Sequence, residues 1–236
     1  MHEHISSAYD RDLEAIQALV MRMGGLVEQA ILDGARCLEA RDIEGAEAVR
    51  KGDKVIDALE EQINETAART IALRAPVSKD LRMLLSVLKL ASSLERMGDY
   101  AKNMAKRTSI LAEMRAVDGA DAALRRMSKE VQSMLKEALD AYVRGDAELA
   151  EAVRQRDQDV DQMYNALFRE FLTFMMEDPR NITACMHMHF IAKNVERMGD
   201  LVTNMCEQIV YMVTGELPDD DRPKEDQTSI FRSSDE

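Results

Sequence analysis

Tryptophan is missing from this 236-residue chain, aromatic residues make up only 4% of it, and there are four prolines. Glycine is scarce as well, at ten. A chain so poor in rings and breakers, yet rich in Ala, Leu, Met, Glu, Lys and Arg, favours long helices over sheets. Positive charge is in deficit: the formal net charge is −13. That excludes a nucleic-acid binder, which must offset phosphate charge with a basic surface. It also argues against direct docking on an anionic bilayer. No apolar run reaches the roughly 18 residues that a membrane span needs, so no direct membrane insertion is expected. The start, Met1-His2-Glu3-His4, has neither the basic nor the apolar region of a signal peptide. Cys37, Cys185 and Cys206 show no CxxC spacing, which suits buried thiols in a reducing compartment. The expected location is cytoplasmic, with any approach to the inner membrane made through partners.

Enzyme signatures are absent too. There is no P-loop, Gly-rich fingerprint, GxSxG or HExxH, and no ExxH accompanies the acidic residues. Nothing pairs a nucleophile with a base. His187 and His189 stand two apart, which on a helix points them away from each other. The expectation is a protein that is not an enzyme.

What the chain does contain is itself, twice. Leu94-Glu95-Arg96-Met97-Gly98-Asp99, then Asn103-Met104, returns as Val195-Glu196-Arg197-Met198-Gly199-Asp200, then Asn204-Met205, at an offset of 101 residues. Upstream, Ala46-Glu47-Ala48-Val49-Arg50 returns unchanged as Ala150-Glu151-Ala152-Val153-Arg154. A DxxxD follows each: Asp53 and Asp57, then Asp157 and Asp161. Two blocks repeated in one order mark a tandem duplication.

Each copy reads as three helices, at 8–40, 43–73 and 78–112, then 120–144, 147–176 and 181–214. Arg41-Asp42 and Gly145-Asp146 suit short turns, Pro76 and Pro179 stop the helices before them, and Ser78 and Asn181 are the expected N-caps. The joint falls at Asp118-Gly119-Ala120-Asp121. Long helices joined by short turns pack antiparallel. The expected fold is all-α: two tandem pseudo-symmetric three-helix bundles, residues 1–115 and 116–215, with an acidic disordered tail at 216–236.

At 100° per residue, Val87, Leu90, Ala91, Leu94, Met97, Gly98, Ala101 and Ala105 form one stripe of the third helix. The last helix repeats it with Met188, Ile191, Ala192, Val195, Met198, Gly199, Val202, Cys206 and Ile209. Glu95, Asp99 and Asn103 fall off the first stripe, and Glu196, Asp200 and Asn204 off the second. Each Glu–Asp pair shares a ridge about 6 Å apart along the axis, where like charges repel. A neighbouring helix carrying DxxxD alongside brings four carboxylates together, and their repulsion demands a cation. Oxygen donors with an amide favour Mg²⁺, Ca²⁺, Mn²⁺ or iron. The plain alternative is a solvated acidic surface, with Arg96 and Arg197 neutralising their neighbours.

Four groups of residues resemble the PhoU family: Ala75-Pro76 with Asp80-Leu81-Arg82; Glu95 to Asp99; Asp178-Pro179-Arg180-Asn181-Ile182-Thr183; and Ala192-Lys193-Asn194-Val195 leading into Glu196 to Asp200. Tyr211 to Glu216 is similar to that family's C-terminal end, and the likeness covers about residues 5 to 217. One departure is Leu201, where many second copies have His. The resemblance implies a homodimeric, cytoplasmic negative regulator of the phosphate-starvation response. Such a regulator acts with the ATPase of the phosphate ABC transporter and with the phosphate sensor histidine kinase to control uptake and homeostasis. It also implies multinuclear clusters of divalent or trivalent ions (iron, zinc, manganese, magnesium or calcium) on Asp53, Asp57, Glu95, Asp99, Asp157, Asp161, Glu196 and Asp200, with Asn103 and Asn204 beside them. The alternatives are a metal-dependent phosphohydrolase and a purely structural helical adaptor.

Overall fold

A computed structural model describes residues 2–117 and 119–218, with side chains from residue 9 onward. The helices are α1 (His2–Ala40), α2 (Ile43–Arg74), α3 (Lys79–Leu111), α4 (Ala120–Arg144), α5 (Ala147–Gln155), α6 (Asp157–Glu177) and α7 (Ile182–Thr214), with a 3-10 turn at Pro179–Asn181 before α7. No strand occurs among the described residues. Residues 219–236 of the expected tail, and residue 118 of the joint, lie outside the described residues.

The two copies are built by the same local devices. Asp42 caps α2 by accepting from the Gly45 backbone N–H at 2.9 Å, and Asp146 caps α5 by accepting from Leu149 N–H at 2.9 Å. Before each cap the chain turns left-handed, at Arg41 (φ 55) and at Gly145 (φ 63). The same pair of closing bonds ends both helices: Asp42 N to Cys37 O at 2.9 Å with Arg41 N to Leu38 O at 3.3 Å, and Asp146 N to Ala141 O at 2.9 Å with Gly145 N to Tyr142 O at 3.3 Å.

Three expectations need correction. Ser78 precedes α3 but makes no side-chain cap bond. Asn181 makes no cap bond to α7 either, its amide donating instead to Phe174 O at 3.4 Å near the end of α6; Asp178 accepts from the Arg180 N–H and starts the 3-10 turn that leads into α7. The fifth helix is not continuous, because the chain tightens at Arg156, whose N–H bonds back to Val153 O at 3.1 Å. The Arg156 guanidinium, drawn to Glu130, Glu137 and Ser133 on α4, holds that tightened turn in place. The break sets Asp157 in the first turn of α6, where the helix dipole favours a carboxylate.

Within the first copy α1, α2 and α3 pack together, and within the second α4, α5, α6 and α7 do. The copies meet through α1 on α4 and α3 on α7, so these four helices form the middle of the molecule. Among the described residues α2 packs on α1 and α3 alone, while α5 and α6 pack on α4 and α7. One apolar core runs through both copies, from Ile16 to Met212. Both stripes read from the sequence are buried, with Leu90, Leu94 and Met97 on α3, and Ile191, Val195 and Met198 on α7, fully covered. Burying each such side chain contributes about 1.5–3 kcal/mol.

The stretch Tyr9–Ala40 of α1 is, contrary to expectation, long and apolar enough by composition to match a membrane span. Its Ile16, Val20, Met23, Val27 and Ile31 are fully buried among the other helices. These five side chains place one apolar face of α1 in the core of the bundle, while Leu26 and Leu32 stay exposed.

Candidate metal-binding seams

The acidic residues line two seams on the outer flanks, one where α2 meets α3 and one where α6 meets α7. The chain can bring these helices together because each seam sets a glycine against one aspartate, Gly98 against Asp53 and Gly199 against Asp157. A Cβ on Gly98 would sit 3.1 Å from Ile56 and 3.5 Å from Asp53 Oδ1; on Gly199 it would sit 2.9 Å from Asp157 Oδ1. Glycine in a helix costs about 1 kcal/mol relative to alanine. Here it permits a carboxylate-bearing helix to approach closely.

In the first seam Asp53 is 4% exposed, while Asp57, Glu95 and Asp99 are half-buried. The Lys102 ammonium donates to Asp53 Oδ2 at 2.5 Å and to Asp99 Oδ1 at 3.0 Å, linking α2 to α3. Asp53 Oδ1 finds no donor among the described residues. The charges feel one another. Burial, then repulsion from Asp99, Glu60, Asp57 and Asp53, pushes the Glu95 carboxyl above its usual range. Burial, then Asp53, does the same to Asp57. Hydrogen bonds to Asp53 and Asp99 hold Lys102 above the usual ammonium range.

In the second seam Asp157, Asp161 and Glu196 are all buried. Glu196 therefore differs from its half-buried counterpart Glu95, although it too lies off the core stripe of its own helix. The reason is its company: Lys193 donates to Glu196 Oε1 at 2.8 Å and lies over the Tyr164 ring at 4.9 Å. Asp200 is half-buried. Asn103 and Asn204 are both exposed, so the amides stand at the solvent edge of their seams.

Sequence reasoning passed over the two lysines. Lys102 stands three residues after Asp99 and Lys193 three before Glu196, spacings that put each on the same helical face as its acid. His187 and His189 separate as expected: His187 Nδ1 meets Arg107 at 3.0 Å, whereas the His189 ring lies among Tyr164, Phe168 and Phe190.

The seams supply hard oxygen donors, a buried carboxylate oxygen without a donor, and the close helix approach that a hard cation needs. As the side chains stand, no group of three or more His, Cys, Asp or Glu among the described residues is arranged to hold an ion. In the first seam an ammonium stands between the acids instead.

The family model described as the PhoU domain matches residues 20–108 and 124–209, once per copy. A phosphate-specific transport system accessory protein PhoU homolog of Rhizobium meliloti is 44% identical over 98% of both chains. A protein of the same description from Caulobacter vibrioides is 46% identical over 96% of this chain and 98% of its own. Among solved structures, PhoU from Pseudomonas aeruginosa superposes with a TM-score of 0.85 at 37% identity, covering 88% of this chain and all of that one. The phosphate transport system regulatory protein PhoU from Streptococcus pneumoniae gives 0.83 at 33% identity, covering 89% and 99%. Fold, duplication and sequence agree over nearly the whole length: this chain belongs to the PhoU family.

Proposed function

We propose that this chain is an accessory regulator of phosphate transport, not an enzyme, and that its two acidic seams hold metal ions. The observation that carries the role in transport is the near full-length match to proteins described as accessory to phosphate-specific transport. In this reading it works in the cytoplasm as a homodimer, contacts the ATPase of the phosphate ABC transporter and the phosphate sensor histidine kinase, and represses the starvation response when phosphate is plentiful.

Asp53, Asp57, Glu95 and Asp99 would hold the ions of the first seam, and Asp157, Asp161, Glu196 and Asp200 those of the second. Asn103 and Asn204 offer amide oxygens at the rims. A divalent or trivalent ion held there would supply charge neutralisation and affinity for an anionic oxygen such as that of phosphate. The chain itself does the rest. Gly98 and Gly199 let the helices close, and the apolar stripes behind them fix the spacing of the acids.

Deletion of the gene should derepress a phosphate-starvation reporter in phosphate-rich medium, and the wild-type gene should restore repression. Unchanged reporter output would overturn the regulatory role. Elemental analysis of protein purified without chelator tests the metals separately. A variant with all eight acids changed to amides should lose the bound ions.

A further inference from the structure

Each seam carries a lysine, but Lys102 bridges two helices, α2 and α3, whereas Lys193 pairs with Glu196 on its own helix. The counterpart of Lys102 in the second copy is Thr203, a buried residue whose hydroxyl donates to Gly199 O at 3.2 Å. No ammonium can enter the second seam from that position. In the first seam the Lys102 ammonium lies between Asp53 on α2 and Asp99 on α3, on the oxygens that a cation there would use. Asp53 is 4% exposed, and its Oδ1 turns toward the gap left by Gly98 with no donor among the described residues. Half of that carboxylate is therefore satisfied by the lysine, and half is left for something else.

We propose that Lys102 is a tethered counter-ion of the first seam, which a metal ion must displace, so that loading this seam releases an ammonium onto the outer face of α3. The inference rests on the metal reading above and adds a regulatory consequence to it. A side chain that is 41% exposed has room to swing into solvent. Once released it joins exposed Asn103 and Lys106 on the surface. Loading would then change the charge that α3 presents to a partner, with no helix displaced. It would also raise the ion concentration at which the first seam loads above the one it would need without the lysine.

The test uses the full chain and Mn²⁺ alone as probe. Calorimetric titration of Lys102→Gln should show binding at the first seam about tenfold tighter than in the wild type, the ratio expected when a competing charge-assisted hydrogen bond is removed. The chelated variant should melt below wild type, because Asp53 is left unpaired, and Mn²⁺ should raise its melting temperature by more. A second arm needs no variant. Acetylation of the wild type followed by peptide mass spectrometry should find Lys102 protected in chelator and modified once Mn²⁺ is added. If Lys102→Gln binds Mn²⁺ no more tightly than wild type, or Lys102 labelling ignores Mn²⁺, the exchange is overturned while the metal reading stands. If neither protein binds Mn²⁺, both fall.

Discussion

Gly199 and Asp157 are in such close register that a methyl group on the glycine would sit 2.9 Å from the carboxylate Oδ1, whereas the matching approach of Gly98 to Asp53 leaves 3.5 Å. Gly199→Ala must therefore push α6 away from α7 or turn Asp157 out of the seam. The expected cost is about 1–3 kcal/mol, as for other overpacked sites. Gly98→Ala meets first the Ile56 Cδ1 at 3.1 Å, the far end of a side chain that can shift. There the gain of about 1 kcal/mol in helix preference offsets the crowding, and stability should stay close to wild type. Urea melts of the two variants check this asymmetry; equal losses would contradict it.

Arg41 holds a left-handed backbone that its counterpart Gly145 adopts without strain. Its guanidinium donates to Leu111 O at the end of α3 and to Asp121 Oδ2 at 3.2 Å on α4, so it clamps the junction of the copies. Burial, partly countered by Arg41, holds the Asp121 carboxyl above its usual range. Arg41→Ala should cost about 1–3 kcal/mol by stranding both partners. Arg41→Gly loses the same bonds but relieves the backbone, and should recover about 1 kcal/mol of that loss. Thermal melts of both variants decide whether clamp or strain dominates.

The Arg156–Glu137 pair makes a pH-dependent contribution. The hydrogen bond from Arg156 holds the Glu137 carboxyl below its ordinary value of 4.5. A depressed carboxylate adds stability that is fully present above that ordinary value and is lost as pH falls through the lower folded one. With the Glu137 side chain 38% exposed, screening limits the effect to about 1 kcal/mol. Wild type should exceed Glu137→Gln in denaturant stability at neutral pH, with the gap constant down to about pH 5 and closing below the ordinary value. A gap that persists unchanged at pH 3 would refute this.

All three cysteines are buried and free. Burial pushes Cys206 up to about 12, and Cys37 and Cys185 above their ordinary value. The thiolate is the reactive form, so none should titrate with DTNB at pH 8 in the native protein. All three should react once the chain is unfolded in guanidinium. Rapid native labelling of Cys206 would show that the α7 core opens.

Much of this was legible beforehand because it depends on period and repetition. The stripe through Leu94 and its repeat through Val195 follow from helical angle alone, and every member is buried. Asp42 and Asp146 mark the short turns in the sequence, and both cap the helices that follow. Less legible was the break at Arg156, since its cause lies in Glu130 and Glu137 on another helix. The burial of Glu196 was equally hidden: on its own helix it stands beside the core stripe, and its surroundings come from α6 packing on α7, where Tyr164 lies against Lys193, the donor to Glu196.

The amino-acid order alone determined the helical periods, their repetition in two copies and the ridges on which the acids stand, because helical period acts within a few residues. Tertiary packing decided which carboxylates are dry and which cation meets them. Burial and charge pairing depend on the distance between helices remote in the chain, and that distance is set here by Gly98 and Gly199.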